Sequence, residues 1–211
     1  MINENDITTL GMKVSSYMSS SRYVHTLGVV SAAERIGLIF MPERVNELKA
    51  AAFLYDVAKE LSYTDQLTLI DKFNVRVDRE DLNIRPAVHS FAGVAVIKRD
   101  FPKFATRDVL SAVYNHTLGD ACMSLFDEII FLSDYIEDGR KYESCISVRE
   151  QIYASISNES SYDDNVLALH CAVVSSCDAT LKKLLSINAQ ISSKTLKTKK
   201  AFLEKVEKKL V

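Results

Sequence analysis

An all-α fold follows from three features of this 211-residue chain. Only six glycines and three prolines punctuate it, so long stretches run without a helix-breaking residue. Apolar residues recur at spacings of three and four almost throughout, the period of a helix with one buried face. Hydrophobic residues make up 47% of the chain and charged residues 26%, enough to bury a sizeable core in one unit of this length. No linker rich in Gly, Pro or Ser divides it, and no internal repeat is visible. Residues 1–211 are therefore expected to form a single compact helical bundle.

The elements can be followed in order. Asp6 is placed to cap a first helix running to about Met18, and Ser19, Ser20 and Ser21 offer a cap for a second. In that second helix Val24, Leu27, Gly28 and Ala32 share a face, with His25 beside it. Pro42 suits the first turn of a third helix. Leu48, Ala51, Ala52, Leu54 and Tyr55 make this helix increasingly apolar all round, which predicts a central position. Asp56 and Lys59, one turn apart, are able to face the same cavity. Thr64 is positioned to cap a short helix over 65–73, and the polar stretch 74–85 reads as a surface excursion.

Pro86 restarts a helix carrying His89, Gly93, Val96 and Ile97. Thr106 caps another that ends near His116, and 125–136 forms a further apolar helix. Gly119 and Gly139 mark the turns beyond these last two, either as plain helix stops or as places where backbone approaches a phosphate closely. Beyond Ser144 the pattern is a helical remainder, with Val166, Leu169, His170 and Val173 in one helix and 196–210 in a last one. The lysines of that last segment read as a solvated amphipathic face, because Glu204 and Glu207 interrupt them and no aromatic platform accompanies them.

The formal net charge of -2 gives no global pull towards nucleic acid or anionic membrane, so a small-molecule partner is favoured. The first residues, Met1-Ile2-Asn3-Glu4-Asn5-Asp6, do not read as a secretory leader. No run approaches the roughly 18 consecutive apolar residues of a spanning helix. Cys122, Cys145, Cys171 and Cys177 form no CxxC pair or metal-ribbon spacing, which suggests reduced thiols in a cytoplasmic chain.

Two acids stand out. Asp56 lies in Ala50-Ala51-Ala52-Phe53-Leu54-Tyr55-Asp56-Val57-Ala58, and Asp134 in Ile129-Ile130-Phe131-Leu132-Ser133-Asp134-Tyr135-Ile136. A carboxylate inside such a helical run must be paired, protonated or bound to a cation. His25, His89 and His116 also fall in helical, mostly apolar surroundings. A lone histidine of this kind is more often a satisfied core or surface residue, but the order His…Asp…His…His…Asp suggests a buried metal centre. Imidazoles and carboxylates together suit iron, manganese or zinc, and a carboxylate is able to bridge two cations.

The segments Arg22-Tyr23-Val24-His25-Thr26-Leu27-Gly28-Val29, Phe53-Leu54-Tyr55-Asp56-Val57-Ala58-Lys59-Glu60-Leu61, His89-Ser90-Phe91-Ala92-Gly93, His116-Thr117-Leu118-Gly119 and Ser133-Asp134-Tyr135-Ile136-Glu137-Asp138-Gly139-Arg140 resemble, in order and spacing, the YqeK-like branch of the HD-domain metal-dependent phosphohydrolases. The core motifs span 22–140, and a helical extension follows over 144–211. The resemblance implies an all-helical hydrolase that cleaves diadenosine tetraphosphate symmetrically into two ADP. It also implies a dinuclear metal centre, of iron first, with manganese or zinc as alternatives. His25, Asp56 and Asp134 would hold one metal, and Asp56 would reach a second held by His89 and His116. Lys59 and Arg140 would contact phosphate in catalysis, and Arg22, Thr117 and Gly119 would help position the nucleotide. The expected partner is a purine nucleotide or dinucleoside polyphosphate, without nucleic acid or membrane, and with room for a homodimer.

The family takes its name from a His-Asp pair, and this chain has Tyr55-Asp56 there. Ser90 replaces the glycine usual after the third histidine, and Asp138 replaces the proline usual before Gly139-Arg140. Three outcomes follow: a phenolate ligand on a ferric ion, a single metal held by Asp56, His89 and His116, or a non-catalytic nucleotide-binding or sensing protein of the same fold.

Overall fold

The structure is a computed structural model that describes residues 2–210. It contains eleven α-helices joined by short 3-10 turns, with no strand among the described residues. α1 (Glu4–Val14) is capped by Asn3, not Asp6: the Asn3 side chain accepts the Asp6 N–H and the Asp6 carboxylate accepts the Asn3 N–H. Asp6 is thus the reciprocal half of a capping box, three residues inside the helix. The helix also stops earlier than Met18, passing into a 3-10 turn over Ser15–Tyr17.

α2 (Ser20–Phe40) starts at Ser19, whose side chain accepts the Arg22 N–H. Its buried face is Thr26, Val29, Val30, Ala33, Ile36 and Phe40, whereas Val24 is 67% and Leu27 43% exposed. The face expected from Val24 and Leu27 is therefore turned towards solvent. Apolar residues surround almost the whole circumference of this helix, so its own pattern does not choose a face. Packing against α3 (Val45–Leu54) and α8 (Leu125–Ile136) does.

Pro42 opens a 3-10 turn over Pro42–Arg44 that leads into α3. α3 is central as expected, with Leu48, Ala50, Ala51, Ala52 and Leu54 inaccessible to solvent. It ends at Leu54, so Asp56 and Lys59 are not helical. They lie on consecutive tight turns closed by Val57 N–H to Leu54 O, Lys59 N–H to Asp56 O and Leu61 N–H to Ala58 O. α4 (Tyr63–Lys72) is capped by Ser62, two residues ahead of Thr64. The stretch 74–85 is only partly a surface excursion. It carries α5 (Arg79–Leu82), and both Ile84 and Asp81 are buried, Asp81 accepting the Ser192 hydroxyl at 3.0 Å.

α6 (Val88–Asp100) follows a 3-10 turn over Arg85–Ala87, and α7 (Arg107–Asn115) begins at the Thr106 cap. α8 carries a capping box of Ser124 and Asp127. α9 (Glu143–Ser155), α10 (Tyr162–Ser186) and α11 (Ser193–Leu210) complete the chain. One hydrophobic core runs from Ile7 on α1 to Ala172 on α10. A satellite of Met123, Phe131, Val173, Cys177 and Phe202 lies under α11. The lysines of α11 are less solvated than expected: Lys194 pairs with Asp120, Lys199 with Asp178 and Lys205 with the buried Glu128. All four cysteines are free, and no described helix is long and apolar enough to cross a membrane.

Candidate metal centre

Three helix ends meet around Asp56. His89 is the second residue of α6, His116 is the C-cap of α7, and Asp56 opens the turns beyond α3. The Asp56 Oδ1 lies 3.0 Å from His89 Nε2 and 3.7 Å from His116 Nε2, and the two Nε2 atoms are 3.0 Å apart. All three residues are buried. His116 Nδ1–H donates to the Val113 carbonyl at 2.7 Å. A carbonyl only accepts, so in the neutral ring Nδ1 carries the proton and Nε2 presents its lone pair to the cavity.

A carboxylate oxygen and two imidazole nitrogens therefore converge within 4.8 Å of one another. Asp56 Oδ1 has no partner in hydrogen-bonding geometry. Crowded acceptors of this kind require a proton or a cation between them, and an N,N,O donor set suits a divalent transition metal. The residues present fit such an ion. Burial acts to raise the Asp56 pKa, yet the His116 and His89 imidazoles hold it well below the usual carboxylate range. Burial lowers the His89 pKa to about 4, against the pull of the Asp56 carboxylate 3.0 Å from its Nε2, so this ring is neutral and able to ligate near neutral pH.

A second cluster adjoins the first. His25 Nε2 lies 3.0 Å from Asp134 Oδ1, and Arg140 donates to the same oxygen at 2.8 Å and to the Asp134 carbonyl at 3.0 Å. Arg22 donates to Asp56 Oδ2 at 3.0 Å. Lys59 Nζ lies 3.2 Å from each ring nitrogen of His89, and burial lowers its pKa against the charges of Asp56 and Asp134. Arg22, His25, Arg140, Ser19, Ser21 and Glu60 line an open cavity of about 250 Å³. Basic side chains thus stand beside the carboxylates, an arrangement suited to an anionic ligand.

Tyr55 stands between the two clusters. Its ring is edge-on to His116, with centroids 4.9 Å apart, and to His25 at 6.1 Å. The side chain is fully buried, and its hydroxyl meets no hydrogen-bond partner among the described residues. Burial first, then the charges of Asp134 and Asp56, pushes the phenol pKa well above its ordinary value.

Of the other residues singled out by sequence, Thr117 is at the centre, with Oγ1 2.9 Å from His116 Nε2 and 3.3 Å from His89 Nε2. Gly119 faces elsewhere. It has φ +73°, and a Cβ there would lie 2.7 Å from Thr198 Cγ2, so the close approach that demands glycine is to α11. Ser90 is buried and donates to the Ala87 carbonyl, and Asp138 is exposed, so each departure is accommodated locally. Sequence reasoning gave no role to Glu60, which accepts the Ser19 N–H at 2.7 Å and hydroxyl at 2.6 Å. Nor did it give one to Glu137, a buried acid 3.1 Å from His25 Nδ1. An acid closing an apolar helix three residues after Asp134 was the available signal for the latter.

Known proteins resemble this chain in sequence, and one in solved structure. The symmetrical bis(5'-nucleosyl)-tetraphosphatase of Halalkalibacterium halodurans (strain C-125) is 28% identical over 187 residues, covering 88% of this chain and 90% of that one. The protein of the same name from Bacillus subtilis (strain 168) is 27% identical over 138 residues, covering 65% of this chain and 72% of its own. A crystal structure of a predicted HD superfamily hydrolase from Clostridium acetobutylicum, described as involved in NAD metabolism, superposes with a TM-score of 0.78 at 25% identity, over 97% of this chain and 99% of that one. The HD domain model matches residues 22–139, a span that begins at Arg22 and takes in every residue of both clusters except Arg140. With more than half of its length in that match and its histidines and aspartates gathered as described, the chain belongs to the HD-domain family.

Proposed function

We propose that this chain is a metal-dependent phosphohydrolase that cleaves dinucleoside polyphosphates, diadenosine tetraphosphate into two ADP before others. The observation that carries the reading is the convergence of Asp56, His89 and His116 on one point, with Asp56 Oδ1 unsatisfied and Arg22, Lys59 and Arg140 beside it. The names of the relatives support the substrate class.

Asp56, His89 and His116 would hold one cation, and His25 and Asp134, with Asp56, a second. When bound, such a cation would supply Lewis acidity, which favours a phosphoryl oxygen accepting negative charge and water losing a proton near neutral pH. The chain's own groups do the rest. Arg140 and Arg22 each offer a planar guanidinium able to hold two phosphate oxygens, and their present carboxylate partners keep them extended towards the cavity. Lys59 adds a point charge where negative charge grows on the phosphoryl oxygens. Water adds across the central anhydride: its oxygen bonds to one inner phosphorus while the bridging oxygen leaves with the other ADP. The Val113 carbonyl, which accepts the His116 Nδ1–H, holds the neutral ring in its ligating orientation, and the Thr117 hydroxyl stands beside Nε2 where it could meet a phosphate oxygen.

Iron is the cofactor proposed, in a dinuclear centre, with Tyr55 standing where the family has an imidazole. We read the chain as one domain acting in the cytoplasm, in keeping with its free cysteines. The reading includes no nucleic-acid or membrane partner and leaves room for a homodimer. Elemental analysis of the purified protein, with a hydrolysis screen under iron, manganese and zinc, tests the reading. ADP as the sole product from diadenosine tetraphosphate supports it. Nucleotide binding without hydrolysis, with one metal or none per chain, replaces it with the sensing role that the buried Tyr55 phenol favours.

A further inference from the structure

Glu137 closes α8 as its C-cap and is only 4% exposed. Its Oε1 lies 3.1 Å from His25 Nδ1, and its Oε2 accepts the Gly139 N–H at 2.6 Å. The backbone on which it sits is pinned by Arg149, which donates to the Ile136 and Glu137 carbonyls at 3.0 and 2.6 Å. Two glycines clear its path. A Cβ on Gly28 would fall 2.4 Å from Glu137 Oε2, and one on Gly139 would fall 2.7 Å from the same atom. Gly28 lies inside α2, where glycine is unfavourable, so its presence there has a cause outside the helix. The carboxylate fills the space that a side chain would take.

We propose that Glu137 is a positioning residue. By accepting the His25 Nδ1–H it fixes the ring so that Nε2 is presented, beside Asp134 Oδ1, to a divalent cation, and Gly28 and Gly139 are glycines to admit it. This rests on the reading of His25 and Asp134 as ligands under the proposed function. A metal-ligating histidine whose second ring nitrogen is held by a carboxylate keeps one tautomer and one orientation, and loss of such a partner typically weakens metal binding by about 10–100-fold. Among the described residues Glu137 is the acceptor at the His25 Nδ1, whereas Asp134 lies on its Nε2 side.

The test uses the full chain labelled with 15N in its four histidines, titrated with Zn2+ alone and followed by two-bond proton–nitrogen correlation of the imidazoles. Glu137→Gln removes the charge and leaves either His25 or Gly139 without its acceptor. Gly28→Ala leaves Glu137 chemically intact, favours the helix, and displaces the carboxylate. Both variants are expected to need about 10–100-fold more Zn2+ to move the His25 Nε2 signal, while His89 and His116 respond at the parent's concentrations. An unchanged His25 response in Gly28→Ala overturns the proposal whatever Glu137→Gln does. So does a parent whose His25 ignores Zn2+, or loss of the His89 and His116 responses in both variants, which would make Glu137 a folding residue. Hydrolysis is not read, so a parent inactive on diadenosine tetraphosphate refutes the proposed function without deciding this point.

Discussion

Removing the Tyr55 hydroxyl should stabilise the metal-free protein, against the usual direction of core substitutions. The ring is fully buried and packs edge-on against two imidazoles, and the hydroxyl meets no partner. A buried polar group left unpaired costs about 1–3 kcal/mol. Tyr55→Phe deletes that group and keeps the ring, so no cavity larger than one oxygen opens. For a chain of this size each kcal/mol moves the midpoint by about 2–4 °C, and a rise of that order is expected in thermal unfolding with a chelator present. In iron-loaded protein the sign decides the role of the phenol. If its oxygen ligates, Tyr55→Phe lowers both the midpoint and the iron content, and a visible charge-transfer band disappears with it. If Tyr55 only packs, the gain persists with metal. Tyr55→His, which shrinks the side chain and restores the family's imidazole, is then expected to raise metal occupancy and diadenosine tetraphosphate cleavage together. A Tyr55→Phe variant less stable than the parent without metal would refute the reasoning, because it would mean that the hydroxyl is satisfied in the folded protein.

Asp56→Asn, which nearly preserves volume but weakens the anionic ligand, should lower metal content and hydrolysis in parallel; a fully metallated and active variant would reassign the carboxylate to structure. Arg140→Lys keeps the charge and loses the planar fork, so KM for a polyphosphate should rise by more than it does for Arg149→Lys, whose guanidinium holds backbone carbonyls instead. Gly119→Ala should destabilise the fold by about 1–3 kcal/mol, from a positive φ and a 2.7 Å approach to Thr198, and Thr198→Ala should recover only the steric share of the loss. His170→Ala should leave turnover unchanged, since His170 sits 3.4 Å from Glu128 between α8 and α10, outside both clusters.

Where structure is decided by neighbours in the chain, the sequence was enough. Ser19 and Thr106 cap their helices, and 125–136 is helical to the residue, because a side-chain cap and an unbroken apolar run act within one turn. The direction in which α2 faces was not legible, since a helix apolar on all sides takes its orientation from α3 and α8. Glu137 needed the fold for a similar reason: its meaning lies in Gly28 and His25, on a helix far earlier in the chain.

The end of α3 shows most clearly what local sequence omits. Residues 55–61 are mostly apolar or good helix formers, and nothing among them stops a helix. Yet the helix ends at Leu54 and continues as 3-10-type turns that bury Asp56, Val57 and Ala58. Carbonyls along such turns lack the regular donors of a helix. At the far end of the turns the Ala58 and Leu61 carbonyls find one in Gln66, a buried side chain on α4 whose amide donates to them at 3.1 Å each. A distant amide thus makes the tight turn tolerable, and the turn sets the direction of the Asp56 carboxylate towards His89 and His116. Continued as a regular helix, the same residues would advance around the axis of α3 by about 100° each and give the Asp56 carboxylate a different bearing on α6 and α7. Gln66→Leu should therefore act at a distance, loosening the Asp56 turn and weakening metal binding although it touches no ligand. Metal affinity measured by calorimetry in a variant of near-parent helicity is the check. Unchanged affinity would show that the turn holds itself.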